Sequence, residues 1–296
     1  MKKRRILSLL CFWTGISFCV SAQSTKSTVD NLSAYVTKDS IQGWTHSGLV
    51  GITFGQTSLH NWVAGGDNTI SGNVILNGFA NYVKDKWFWD NKLSLEYGMV
   101  YSSSYNWQKN ADKINLTSVA GRKITNKWST SFLLNFNTQF AKGYNYPNTE
   151  NYISTFMAPA YTDAALGFTY KPNKKYTLFI SPIAEKVTFV LNDSLSSIGT
   201  FGVERGKTIK WETGAYLMAS TSQTVYGNIG IISSLNLFTP YDKNFGNIDV
   251  NWDLLISYKI KKMFTATLNT ALRYYDNEIK RIQFKEILGL GLTYTF

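Results

Sequence analysis

Residues Gln283 to Phe296 read QFKEILGLGLTYTF, and at a period of two they separate into unlike faces. Phe284, Leu288, Leu290, Leu292, Tyr294 and Phe296 fall on one side; Gln283, Lys285, Gly289, Gly291, Thr293 and Thr295 fall on the other. The first face is oily and the second small and polar, the pattern of a β-strand set between two environments. A soluble sandwich also uses such strands. Here, however, the chain runs to an aromatic carboxy-terminus, with a second aromatic two residues earlier and leucines at the same spacing before it.

The composition is strand-rich. Charged residues make up only 17% of the 296, against about a quarter in average soluble domains, while aromatics reach 15% and prolines number 5. Lys2, Lys3, Arg4 and Arg5 precede an apolar run from Ile6 to Val20, and Val20 and Ala22 occupy the small-residue positions of a cleavage site. The run is too short to span a bilayer, so residues 1–22 are expected to be a secretory signal cut before Gln23. Cys11 and Cys19 both leave with it, and neither follows a lipoprotein-like Leu-small-small sequence. The mature chain is therefore expected to have no thiol, disulfide or lipid anchor.

It keeps 26 basic and 19 acidic residues, a net charge of +7 with no basic run, which points weakly to anionic headgroups or solutes and away from nucleic acid. No later segment is long and apolar enough for a transmembrane helix. If the membrane is crossed, strands cross it, and they must close because lipid offers the backbone no hydrogen bonds.

Residues 23–43 are polar, Ser/Thr-rich and aperiodic, as expected of a periplasmic lead-in, and 44–296 form the barrel domain. Twelve alternating segments follow: 45–55, 68–83, 87–102, 113–124, 128–140, 154–171, 176–190, 207–219, 225–238, 247–260, 263–274 and 283–296. Tight connections at Lys84 to Lys86, Thr125 to Lys127, Pro172 to Lys175, Ser220 to Thr224 and Lys261-Lys262 alternate with longer ones at 56–67, 103–112, 141–153, 191–206, 239–246 and 275–282. An even strand count puts both termini on one side, expected to be periplasmic, and the long loops on the other. Trp87, Trp128 and Tyr176 directly follow short turns, while Trp211 and Trp252 begin strands entering from long loops, which predicts two aromatic girdles. Pro182, Gly72, Gly78 and Gly98 predict bulges or bends.

The fold class predicted is all-β, an antiparallel transmembrane up-and-down β-barrel of about twelve strands. The closing strand is similar to the terminal strand of outer-membrane barrels. That resemblance implies that the barrel-insertion machinery is a partner, with Leu292, Tyr294 and Phe296 as the assembly signal. At Asn61-Trp62 with Gly65-Gly66, Thr138 to Phe140 with Gly143-Tyr144, Ala158 to Tyr161, Asn247 to Trp252 and Gln283 to Gly291, the chain resembles a family of bacterial outer-membrane barrels catalogued only as a domain of unknown function. The resemblance implies fold and location, with outer-membrane lipid and lipopolysaccharide as surroundings, and no activity.

Period-two reading sends Asp90, Lys92, Glu96, Asp163, Lys210 and Glu212 inward, together with Asp249, Asp253, Lys259, Arg273 and Lys285. They form either a mixed-charge constriction that selects solutes or an ion-pair network that holds a narrow barrel shut. Bulky inward Phe88, Phe179, Tyr161 and Tyr216 favour the shut barrel.

In the outer loops Trp62, Asp67, Asn68, Tyr105, Trp107, Tyr144 and Tyr146 combine aromatic platforms with amides and a carboxylate, either for a surface glycan or for packing loop on loop. His46 and His60 are the only histidines, and no G-x-S-x-G elbow accompanies them. No cysteine–histidine constellation offers a zinc site, and no cofactor is expected. The function expected is non-enzymatic passage or binding of a small solute or envelope component. A scaffold docking another envelope protein is the alternative, and a barrel hydrolase comes third.

Overall fold

A strand with one oily face satisfies its backbone in lipid only when both edges are paired, and the chain achieves this by closing on itself. The computed structural model describes residues 42–60, 67–173, 175–242, 245–261, 263–275 and 279–295. The expected signal segment, the lead-in up to residue 41, Trp62 and Phe296 lie outside them. The wall consists of β1 (Gly43–Thr57), β2 (Thr69–Lys84), β3 (Trp87–Ser102), β4 (Asn106–Lys123), β5 (Trp128–Thr138), β8 (Ala160–Asn173), β9 (Tyr176–Phe189), β10 (Ile209–Val225), β11 (Ile229–Pro240), β12 (Asp249–Lys261), β13 (Phe264–Tyr275) and β14 (Ile279–Thr295).

Neighbours in the wall are neighbours in sequence, except that β6 (Gly143–Tyr144) and β7 (Tyr152–Ser154) leave it to form a small separate hairpin. Among the described residues, β1 closes the ring on β14 through six pairs, from Leu49↔Thr295 to Phe54↔Leu290. Every other neighbouring pair runs at least ten.

The expected twelve wall strands are present, but four connections differ from the sequence reading, among them the loop expected at 141–153, which spans 139–159 because β5 ends at Thr138 and the strand expected from residue 154 begins at Ala160. The long loop expected at 103–112 is a turn over 103–105, because β4 already begins at Asn106, which takes the positive φ of 59° that lets the hairpin reverse. The strands flanking the loop expected at 275–282 run further than that reading allows, β13 to Tyr275 and β14 from Ile279. The tight turn expected at Ser220–Thr224 is strand: β10 continues to Val225, and the reversal falls at 226–228, where Tyr226 and Gly227 have φ of 51° and 72°.

Alternation assigns the faces. Trp44, Trp87, Trp89, Trp128, Tyr176 and Tyr258 all project from the wall near the short-turn end and stay exposed. Trp44 lies against Tyr82 (5.2 Å between centroids) and Trp89 (5.6 Å), and Trp128 against Tyr170 (4.7 Å), as parts of an aromatic girdle at this end. Beyond it Ile52, Val74, Leu116, Phe132, Leu166, Phe168 and Leu290 stand exposed, whereas Asn73, Asn81, Ser94, Asn135, Thr169 and Thr188 are buried inside. A soluble barrel has the reverse polarity. The oily side of this wall faces lipid, and the barrel is transmembrane.

Bulges occur at two of the expected places. Between β9 and its neighbours the register shifts around Ser181-Pro182, and between β3 and β4 it shifts at Gly98. Pro182 has no N–H for a ladder. Ser181 Oγ fills in, lying 2.6 Å from the carbonyl oxygens of Leu166 and Ile183 and accepting the Ile183 N–H at 3.2 Å.

Candidate functional site

The bulge at Ser181-Pro182 decides what the bore contains. Ahead of it Phe179 points inward; past it the phase is inverted, so that Ala184, Lys186 and Thr188 point inward in place of Glu185 and Val187. Lys186 is thereby buried in the loop-side half of the bore. Its ammonium pairs with Asp249 of β12 and lies over the rings of Tyr275 (4.9 Å), Phe238 (5.4 Å) and Tyr161 (5.7 Å).

Tyr161 of β8 and Tyr275 of β13 stack across the lumen with centroids 5.6 Å apart. Asp163 accepts a hydrogen bond from Asn135 Nδ2 (3.1 Å), and Tyr216 donates to Asn236 Oδ1 (3.0 Å). Leu133, Ala165, Phe179, Ala184, Tyr216, Met218 and Phe238 fill the space beside them as one apolar cluster. Together these residues form a bulkhead.

On the turn side of the bulkhead the bore holds a cavity of about 210 Å³. Its walls are rich in amides, among them Asn77, Asn81, Asn115, Asn137, Asn251 and Asn269, and its lining extends to Lys175 in the β8–β9 turn. Ion pairs cross it. Lys171 meets Asp90 at 2.9 Å, Lys113 and Arg273 both reach Asp253 at 2.8 Å and 2.6 Å, and Lys285 approaches Glu96 at 3.5 Å, with Asn269 donating to Glu96 at 3.3 Å. Lys92 also lines the space. Arg273 is fixed further by the carbonyl oxygens of Trp252 (2.9 Å) and Leu272 (3.0 Å).

The residues singled out from the sequence are thus distributed over four levels. Asp90, Lys92, Glu96, Asp253, Arg273 and Lys285 surround the cavity, Asp163 and Asp249 belong to the bulkhead, and Lys210 pairs with Glu212 at 2.8 Å near the loop end of β10. Lys259 is buried two residues before the last residue of β12, at the turn end. Lys113, Lys171 and Lys186 were not among the sequence candidates. Lys186 lies beyond the phase inversion, and Lys113 and Lys171 fall at or next to the ends of the segments read from the sequence.

The loop candidates separate into different jobs. Asp67 accepts hydrogen bonds from Ser104 (2.7 Å) and Ser103 (3.4 Å), and Asn68 Oδ1 accepts the Leu59 N–H at 2.6 Å, so both tie the β1–β2 connection down. Trp107 is a wall residue of β4, tilted against Tyr101 at 5.4 Å, contrary to the loop position read from the sequence. Tyr105 donates its N–H to Ser102 Oγ (3.1 Å), and Tyr146, 6.1 Å from Tyr144, accepts the Lys109 N–H at 3.1 Å.

A short helix α1 (Asp193–Ile198), capped by Asn192, packs Leu195 with Ala158, Val190 and Val203 to roof this side. Leu292 and Tyr294 point to lipid. Among the described residues no three His, Cys, Asp or Glu side chains converge as metal ligands, and His46 stacks on Trp44 at 5.8 Å.

Residues 54–144 match the model of a family described as a protein of unknown function (DUF3078), so the family resemblance read from the sequence holds over that stretch. No curated protein matches the chain. Among solved structures it is similar to an outer membrane channel from Pseudomonas putida F1 (13% identity, 86% of this chain and 95% of that chain, TM-score 0.40). It is also similar to the translocator domain of the autotransporter NalP from Neisseria meningitidis (7% identity, 90% and 93%, TM-score 0.40) and to the NanC porin (5% identity, 83% and 98%, TM-score 0.38).

Proposed function

We propose that this closed barrel, part of which matches a family of unknown function, is a non-enzymatic protein of the bacterial outer membrane whose bore binds a small polar solute and passes it when the crossing ion pairs part. One observation carries the reading: a cavity of about 210 Å³ lies inside the wall and is bridged by the Lys113–Asp253 contact of 2.8 Å. Amides present donors and acceptors together, which suits a solute rich in hydroxyl or carboxyl groups. The short turns and termini face the periplasm by the usual arrangement of such barrels, so the cavity opens to that side and the bulkhead and loop roof face outward. A metal or cofactor plays no part in this reading.

Planar-bilayer recording tests it. The wild-type barrel is expected to stay shut, with conductance steps appearing when Lys113 or Lys186 is replaced by Met. A wild-type barrel that conducts steadily at the level of its variants overturns it. A scaffold that docks another envelope protein is the second reading, favoured by the loop roof, which leaves Ile153, Phe156 and Ile198 exposed. A stoichiometric partner recovered from native membranes would select it.

A further inference from the structure

The cavity is charged unevenly. Its lining carries Lys92, Lys113, Lys171, Lys175, Arg273 and Lys285 against Asp90, Glu96 and Asp253, six cations to three carboxylates. The excess is concentrated at mid-bore. Lys113 arrives from β4 and Arg273 from β13, and both converge on the single carboxylate of Asp253, with Lys92 lining the same space. Lys92 is within electrostatic reach of both Lys113 and Asp253.

The wall around these groups is oily outside, and the space within is narrow, so their field is poorly screened and draws in counter-charge. The bulkhead has the opposite balance: Asp163 and Asp249 accompany one cation, Lys186. An anion entering past Lys175 therefore meets rising positive potential as far as Asp253 and then a carboxylate-bearing barrier.

We propose that the cavity is a binding site for a small anion carrying a carboxylate or phosphate group. The anion is held by Lys92, Lys113 and Arg273 and oriented by the amide of Asn269. It displaces Asp253 from one of its two partners and so loosens the Lys113 bridge. Asn251, whose Oδ1 is buried without a hydrogen-bond partner among the described residues, faces the same space and accepts from a hydroxyl on the ligand. This rests on the chamber reading given above and adds the sign of the ligand's charge.

Titration calorimetry on the folded barrel in zwitterionic micelles tests it, with inorganic phosphate and glycerol as probes. Phosphate is expected to bind and glycerol not to bind. Lys92→Gln weakens phosphate binding at least tenfold, whereas Asp253→Asn, which removes the competing carboxylate, tightens it. Opposite effects from two neutralising substitutions at one site exclude a general loss of folding. Unchanged phosphate binding in Lys92→Gln, or weakening in both variants, overturns the proposal. Binding of glycerol with no binding of phosphate also overturns it while leaving the chamber intact. No binding of either probe removes this proposal, and an open wild-type pore in bilayers removes the chamber itself.

Discussion

Lys113 of β4 and Asp253 of β12 stand on opposite walls of the barrel, six strands apart whichever way round the ring is counted, and are joined at 2.8 Å. A contact between neighbouring strands stiffens a wall; a contact across the diameter divides the bore. Both side chains are about 30% exposed or less (27% and 30%), so each has given up much of its hydration: Lys113 depends on Asp253, and Asp253 on both Lys113 and Arg273.

Breaking this bridge opens the bore. Lys113→Met leaves the Arg273–Asp253 pair intact and removes only the side chain that crosses. Asp253→Asn releases both cations, which then repel each other. Single-channel recording is expected to show small, stable steps for the first variant and larger, noisier ones for the second, both with greater conductance than wild type.

Lys186 is a stability element, and its removal tests the bulkhead. Lys186→Ala leaves Asp249 and Asp163 buried without their cation, and loss of one partner from a buried pair costs about 3–5 kcal/mol. The unfolding midpoint in denaturant is expected to fall accordingly. Replacing both members, Lys186→Met with Asp249→Leu, is expected to recover most of the loss, because no uncompensated charge then remains.

Gly167 sits opposite the Ser181-Pro182 bulge, where a Cβ would overlap the carbonyl oxygen of Ile180. A methyl group there forces two wall strands apart. Gly167→Ala is expected to destabilise the barrel by about 1–3 kcal/mol, the usual cost of overpacking. At Gly78 the nearest atom to an added Cβ, Leu76 Cδ2, lies 4.0 Å away, so Gly78→Ala is the neutral comparison.

Among the described residues the β1–β14 closure has six pairs where other neighbours have at least ten, and local opening follows the weakest pairing. Hydrogen exchange is expected to reach the amides of 290–295 before those of β2 and β3, which share sixteen pairs from Thr69↔Ser102 to Lys84↔Trp87. Equal protection along both would show that the closure is no weaker than the rest of the wall.

The fold was legible because its cause is repeated in every strand: an oily face, a polar face and turn residues at the ends. What escaped was set by local conformations that a period-two count does not detect. Tyr226 and Gly227 carry the positive φ of the β10–β11 reversal, yet the Ser/Thr cluster just before them offered the more familiar turn composition. Pro182 announced a bulge but not its consequence, that Lys186 and Glu185 exchange sides of the wall. The ion pairs were out of reach for a different reason. Lys113 and Asp253 are separated by 140 residues, and only ring closure brings their strands face to face.

The claim that supports the rest is that the polar face encloses the bore while the oily face meets lipid. A cysteine scan along β12 with nitroxide labels tests it most directly, comparing collision with oxygen dissolved in lipid and with a charged, water-soluble relaxant. Positions 250, 252, 254 and 256 are expected to favour oxygen and 249, 251, 253 and 255 the water-soluble relaxant or neither, in strict alternation. The opposite phase, or no alternation, would contradict the account.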